Sequence, residues 1–341
     1  MKKKAAAFVF LLACTGMLTG FQNVNAAELT QIDTSIPIQP GARIAVVSKN
    51  TKGQFWDLVK SGMQDALTAV NEAYGFGKGE QVYMTFEGPD DEQKVEDQIN
   101  TIDAVLNENP DVLCLSISDS NSCVAQIEAA TENGIPVVVF DSNVSDSDLV
   151  TAFRSTDNVM VGELAAQQLA QAISEEGKVV IFSVQNKTES AQNRASGFCE
   201  KLEEYPDITV IDSIGQDEVE DMSAAMTDIL EHTPDLKGVF CSNADMAELY
   251  LSLDAELRDG IEMVGVDATT RQQEAIKNGE ELCTISQDPR TLGYETILTA
   301  LLTTAQEEAE VEIPEEILLL PQMINADNFY NPQYTNYIYS E

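Results

Sequence analysis

The sequence predicts two doubly wound α/β lobes, each a parallel sheet covered by helices on both faces. Three observations carry this. From Arg43 onward, short apolar runs alternate with segments whose apolar residues recur at three- and four-residue spacing. The short runs are almost continuously apolar, as strands buried on both faces must be. The alternation restarts after Asp157, and 341 residues are enough for two domains of ordinary size.

The elements follow in order. Ile44 to Ser48 reads as the first strand, and Phe55 to Tyr74 as a helix with Trp56, Val59, Met63, Ala66, Leu67 and Val70 on one face. Strand Val82–Phe86, helix Gln93–Asn107 and strand Val112–Ile117 come next, then helix Cys123–Glu132, a stop at Gly134 and strand Pro136–Phe140. The second series runs helix Val159–Ser174, strand Lys178–Ser183, helix Ala191–Glu204, strand Thr209–Ile214 and helix Asp221–His232. It continues with strand Gly238–Cys241, helix Met246–Leu257, strand Glu262–Val266, a helix pair, strand Leu282–Ser286 and helix Leu292–Gln306.

Open α/β sheets bind ligands beyond the carboxyl ends of their strands. Polar residues recur at that place: Asp119 and Asn121, Asp141-Ser142-Asn143, Gln185-Asn186, Asn243, Asp267 and Gln287. Any one of them could merely cap a helix or form a turn. Their repetition at one topological position points to a site.

Composition narrows the classes. Acidic residues outnumber basic ones 58 to 19, for a formal charge of −39, which repels nucleic acid and bare anionic membrane. Lys2, Lys3 and Lys4, the apolar run Ala5–Ala13 and the small residues before Ala27 form a secretory signal over residues 1–26. Its removal takes away three lysines and no acid, so −39 becomes −42. Leu11-Leu12-Ala13-Cys14 also fits a lipobox, so export with a lipid anchor on Cys14 stands beside soluble export. Cys114, Cys123, Cys199, Cys241 and Cys283 are odd in number and widely spaced; they read as core residues rather than a disulfide framework or zinc site.

Several motifs carry no chemistry. Gly75-Phe76-Gly77-Lys78-Gly79 follows a helix instead of joining strand to helix, so it is a loop and not a phosphate cradle. Asp141–Asp148 lacks the central glycine and terminal glutamate of a calcium loop. His232 is the sole histidine and suits a helix C-terminus; no Gly-x-Ser-x-Gly elbow accompanies it. Carboxylate pairs are too abundant in so acidic a chain to mark a glycosidase. No enzyme, metal or cofactor is expected.

Ordered landmarks run through the chain: Ile135-Pro136-Val137-Val138-Val139-Phe140-Asp141, Thr156-Asp157-Asn158 with Gly162, Arg194-Ala195-Ser196-Gly197-Phe198, Val239 to Ala247, Val264-Gly265-Val266-Asp267, and Thr284 to Pro289 with Gly293. With them the sequence resembles type I periplasmic binding proteins of the ribose-binding kind, from about Arg43 to Met323. The resemblance implies two lobes joined by three crossings, placed near Thr156, Asp288 and Ile317. Residues 42–156 plus 288–316 would form the N-terminal lobe, and 157–287 plus 317–341 the C-terminal one.

The same resemblance implies a ligand site. Phe55 and Trp56 would stack on a sugar ring, Asp141 would accept from hydroxyls, and Arg194 would donate to ring or hydroxyl oxygens. Asn243, Asp267 and Gln287 would complete it. Such a set matches a molecule with apolar faces and a rim of donors and acceptors. Arg194 beside Asp141 or Asp267 would offset the cost of burying charge; its other option is a surface pair with Glu189 or Glu200. Ser142 stands where ribose binders have arginine, Leu115–Asp119 lacks their usual proline, and no aromatic occurs near Asp217–Val219. These departures speak against ribose itself. The expected protein is a monomer that delivers a monosaccharide or similar polar solute to an ABC transporter permease. The alternative is a sensor presenting a sugar, furanosyl signal or nucleoside to a chemoreceptor or sensor kinase.

Overall fold

The computed structural model describes residues 30–305, 309 and 311–340; the signal segment 1–26 and Cys14 lie outside the described residues. The first lobe is built from β1 (Arg43–Val47), α1 (Gln54–Tyr74), β2 (Tyr83–Glu87), α2 (Val95–Asn107), β3 (Val112–Leu115), α3 (Val124–Glu132), β4 (Val137–Phe140) and β5 (Ala152–Thr156). The second lobe has α4 (Asn158–Ala172), β6 (Gly177–Ser183), α5 (Glu189–Leu202), β7 (Ile208–Gly215), α6 (Met222–His232), β8 (Leu236–Cys241), α7 (Ala244–Ser252), α8 (Ala255–Arg258), β9 (Glu262–Val266), α9 (Thr270–Asn278) and β10 (Cys283–Ser286). The chain then returns to the first lobe with α10 (Pro289–Leu302) and β11 (Glu316–Leu319), and enters the second again with β12 (Gln322–Ile324).

The two sheets repeat one topology. Their orders are β11-β5-β4-β3-β1-β2 and β12-β10-β9-β8-β6-β7, so β1 answers to β6, β4 to β9 and β5 to β10. All pairings are parallel except that of β12 with β10. Each sheet separates two apolar layers. Val138 and Phe140 of β4 face the layer under α1, whereas Val137 and Val139 face Ile102 and Ile127 on the other side.

Helix packing beside each sheet depends on paired glycines. A Cβ on Gly62 of α1 would meet the Arg290 carbonyl oxygen at 1.9 Å, and one on Gly293 of α10 would meet that of Val59 at 2.0 Å. In the second lobe Gly162 and Gly197 bring α4 and α5 together in the same way, with Cβ positions 2.1 Å and 2.2 Å from the carbonyl oxygens of Arg194 and Val159. Backbones this close leave room for hydrogen only.

The expected elements form, with local corrections. The helix expected over Met246–Leu257 is two, because Leu253 turns extended and Asp254 accepts from Glu256 N to cap α8. A single helix, α9, stands where a pair was expected. The third crossing is displaced. Ile317 sits inside β11, paired with Arg154 of β5, so residues 317–319 belong to the first sheet and the chain leaves it only at Leu320–Pro321.

The lobes touch on both sides of the cleft. Gln54 at the start of α1 exchanges two hydrogen bonds with Thr270 at the start of α9, accepting from its N–H at 2.9 Å and donating to Oγ1 at 3.0 Å. At the other end Gln185 donates to the Ser118 carbonyl, and Ser190 N donates to Ser142 Oγ at 3.3 Å. The structure is a closed form.

Candidate functional site

Between the lobes lies a cavity of about 70 Å³. All seven residues named from the sequence line it: Phe55, Trp56, Asp141, Arg194, Asn243, Asp267 and Gln287. They come from the start of α1, the ends of β4, β8, β9 and β10, and the second turn of α5, and only folding assembles them.

Phe55 and Trp56 open α1 and meet edge to face, with centroids 5.1 Å apart and planes at 87°. Trp56 leans edge-on to Phe140, 6.4 Å away. Both rings belong to the first lobe's core cluster and also wall the cleft, so the packing and ligand-platform readings are compatible.

Asp141 and Asp267 are counterparts. Each follows the fourth strand of its lobe and is held at positive φ, +64° and +78°. Aspartate tolerates this left-handed conformation better than bulkier residues do, at a cost of roughly 1–3 kcal/mol. In both cases a hydroxyl from the neighbouring strand clasps the carbonyl: Ser155 Oγ donates to Asp141 O at 2.7 Å, and Thr284 Oγ1 donates to Asp267 O. The carboxylates are then satisfied differently. Asp141 Oδ2 meets Lys49 Nζ at 3.1 Å and Ser116 Oγ at 3.0 Å. Asp267 Oδ1 accepts from Gln287 Nε2 at 2.7 Å and from the Tyr339 hydroxyl at 2.9 Å, and Oδ2 accepts from Ala244 N at 3.1 Å.

Asn243 caps α7, its Oδ1 accepting from Met246 N at 3.2 Å. Cap and cavity wall are one residue here. Arg194 corrects an expectation: it makes no ion pair with Asp141, Asp267, Glu189 or Glu200. Instead Nε donates to Asn158 Oδ1 at 2.9 Å and Nη1 to the Ser242 carbonyl at 2.7 Å. Neutral acceptors fix the guanidinium, which lines the cavity as a donor. The other strand-end polar residues serve elsewhere. Gln185 bridges the lobes, Asn186 bonds Asp217 and Glu218, and Asp119, Asn121 and Ser145 tie one loop together.

Sequence reasoning missed Lys49, Asn50, Glu92 and Asp245, which also line the cavity. Lys49 stands two residues beyond the end of β1, in the strand-end region that flagged the others. Its ammonium is buried, 3.3 Å from Glu92 Oε2 and 3.3 Å from Ser190 Oγ of the opposite lobe. Burial acts to lower its pKa, but Asp141 and Glu92 outweigh burial and raise it, so Lys49 stays charged. Asp245 stands at the mouth, exposed as a residue yet crowded. Partial desolvation, then Glu92, Asp267, Glu248 and Asp91, push it up to about 6.

Among the described residues no group of three His, Cys, Asp or Glu side chains could hold a metal ion, and no helix is long and apolar enough to cross a membrane. Cys114, Cys123, Cys241 and Cys283 are buried free thiols, as their apolar contexts suggest, whereas Cys199 is exposed on α5.

Two repeated lobes, three crossings and a polar cleft with an aromatic wall define a clamshell binding protein. The profile of the family described as the periplasmic binding protein domain matches residues 44–307. The chain belongs to that family of extracytoplasmic, non-catalytic solute-binding proteins. It is 26% identical over 333 residues to the D-ribose/D-allose-binding protein of Pseudomonas aeruginosa, covering 94% of this chain and 98% of that one. It also resembles two ABC-transporter solute-binding proteins of Agrobacterium vitis at 26% identity. One, bound to alpha-D-tagatopyranose, aligns with a TM-score of 0.78 over 88% of this chain and 100% of its own. The other, bound to D-fucose, gives 0.77 over 87% and 100%.

Proposed function

We propose that this protein captures a monosaccharide or similar small polyol between its lobes and delivers it, as a monomer, to an ABC transporter permease. One observation carries the reading: the two counterpart carboxylates, Asp141 and Asp267, face a single cleft that also holds Phe55, Trp56, Arg194, Asn243 and Gln287. A sugar presents apolar C–H faces to aromatic rings and hydroxyls that donate to carboxylates while accepting from guanidinium, ammonium and amide groups. A relative named for D-ribose and D-allose, and two structures solved with alpha-D-tagatopyranose and D-fucose bound, support the same class of guest.

The mechanism is two-state closure. The cleft is lined from both lobes, so a guest that touches Asp141 and Asp267 together enters as the lobes part and is enclosed as they close. The guest then bridges carboxylates on opposite lobes, and its differential affinity for the closed form shifts the equilibrium. A permease that reads the closed form distinguishes loaded from empty protein.

A thermal-shift screen of ligand-stripped protein against pentoses, hexoses, polyols and nucleosides tests this. A guest at a hundred times its Kd adds about 2.7 kcal/mol, a rise of several degrees. Asp267→Ala should abolish that rise while leaving the circular dichroism spectrum unchanged. A folded Asp267→Ala variant with undiminished shift would refute the site, and no shift with any sugar or polyol would refute the ligand class.

A further inference from the structure

The C-terminal residues do more than follow the last strand. After β12 the chain makes a turn at Asn325–Phe329, with Asn328 Nδ2 donating to the Met323 carbonyl at 2.8 Å and Lys277 Nζ 4.4 Å from the Phe329 ring centroid. A short 3₁₀ helix, Pro332–Tyr337, then runs past the hinge. Asn336 Nδ2 donates to Asp288 Oδ2 at 3.3 Å, Ser286 Oγ donates to the Tyr337 carbonyl at 2.6 Å, and the Tyr337 hydroxyl donates to the Leu320 carbonyl at 3.2 Å. Two of the three crossings are therefore held by this one segment. The first is tied to the third by Asp157 N donating to the Leu319 carbonyl at 2.9 Å.

Tyr339 ends the strap inside the molecule. Its backbone belongs to the second lobe: the N–H donates to the Ala268 carbonyl at 3.2 Å, and its own carbonyl accepts from Gln273 Nε2. Its ring belongs to the first lobe, within the core cluster under α1 and 6.5 Å from Phe55. Its hydroxyl donates to Asp267, and burial together with that carboxylate raises its pKa well above the ordinary tyrosine value, so it remains a donor. With Gln287 it occupies Oδ1 of Asp267, leaving the remaining acceptor capacity on Oδ2.

We propose that Tyr339 is a positioning residue for the binding carboxylate, and that the strap 325–340 links occupancy of the cleft to the hinge. Opening the lobes must draw the Tyr339 ring from the first-lobe core or move Asp267 with it. Closure restores both contacts together. For its ligand readout this inference rests on the monosaccharide-binding reading above.

The test uses the full chain as wild type, Tyr339→Phe and Ser286→Ala, the last cutting the strap's bond at the second crossing. Calorimetric titration with D-ribose, D-allose, D-tagatose and D-fucose should show Tyr339→Phe weakening the sugar that binds wild type by about tenfold, the scale of one hydrogen bond to a charged group. Ser286→Ala should weaken it severalfold. In ligand-free protein, acrylamide quenching of Trp56, the only tryptophan, should rise in both variants as the closed form loses hold. Unchanged affinity in Tyr339→Phe overturns the positioning role. If none of these four sugars binds wild type, the quenching alone decides the strap: equal quenching in all three proteins overturns it, and a rise in both variants supports it.

Discussion

The two lobes solve the same backbone problem and opposite electrostatic ones. In each, an aspartate at the end of the fourth strand sits at positive φ with its carbonyl clasped by the next strand. In the first lobe its charge is met by another charge, the Lys49 ammonium, which also serves Glu92. In the second lobe Asp267 has only neutral donors: an amide, a phenol and a backbone N–H. A shared topology thus specifies where a binding carboxylate stands, and local side chains decide how it is held. The ionic half should be sensitive to loss of one residue, whereas the neutral half spreads its hold over three.

The largest expected effect breaks the ionic half. Lys49→Met leaves Asp141 and Glu92 buried without a counterion, which should cost about 3–5 kcal/mol in urea unfolding at neutral pH. The pH dependence follows from Lys49 alone, whose pKa Asp141 and Glu92 raise against its burial. Its folded pKa lies above the ordinary 10.5, so its contribution is complete below that value and fades only as the pH climbs through the raised one. A Lys49→Met variant as stable as wild type at pH 7 would show that the pair is dispensable.

The helix pairs offer the next test. Gly162→Ala would force a Cβ to within 2.1 Å of the Arg194 carbonyl oxygen, a backbone atom that can yield only if α5 moves. Overpacking of this kind costs about 1–3 kcal/mol. Because α5 carries Arg194, ligand affinity should fall with stability. Gly62→Ala in the first lobe should cost a similar amount by displacing α10. Gly260→Ala meets nothing within 4 Å and should lose only the ~1 kcal/mol of its positive φ. Equal unfolding midpoints for Gly162→Ala and Gly260→Ala would deny the close approach its importance.

The same contrast explains what could be read in the sequence. The inner strands were legible because Val112–Leu115 or Val179–Phe182 are apolar throughout, a pattern that burial on two faces imposes. β5 was not, because Arg154 interrupts it. Arg154 is buried nonetheless, its guanidinium satisfied by Thr299 Oγ1 and the carbonyls of Phe153 and Pro314. β11 and β12 are edge strands of four and three residues, too short for a period to show. At the site, the strand-end rule reached Asp141, Asn243, Asp267 and Gln287, and family resemblance reached Phe55, Trp56 and Arg194. Lys49 satisfied the same rule but read as an ordinary charged residue, and only the fold brings Glu92 within 3.3 Å of it. Tyr339 lies 72 residues from Asp267, a distance that no local pattern bridges.

The smallest expected effect concerns an asymmetry at the mouth of the cleft. The second lobe presents Asp245 toward Glu92 and Asp91 of the first, and no ion pair with a cation involves it among the described residues. Its carboxyl is pushed up to about 6, so the folded protein takes up this proton at higher pH than the unfolded chain, whose value is near the ordinary 3.8. Folding is therefore relatively favoured below the ordinary value and loses that advantage as the pH rises through about 6. Asp245→Asn removes the repulsion at every pH. Solvent access screens it, so the gain should stay below about 1 kcal/mol at pH 8 and vanish near pH 3.5. Urea midpoints of the two proteins across that range check the sign. A variant less stable than wild type at pH 8, or equally stabilised at both ends, would mean that Asp245 contributes through contacts other than charge, and the lobes would then close without electrostatic opposition at this lip.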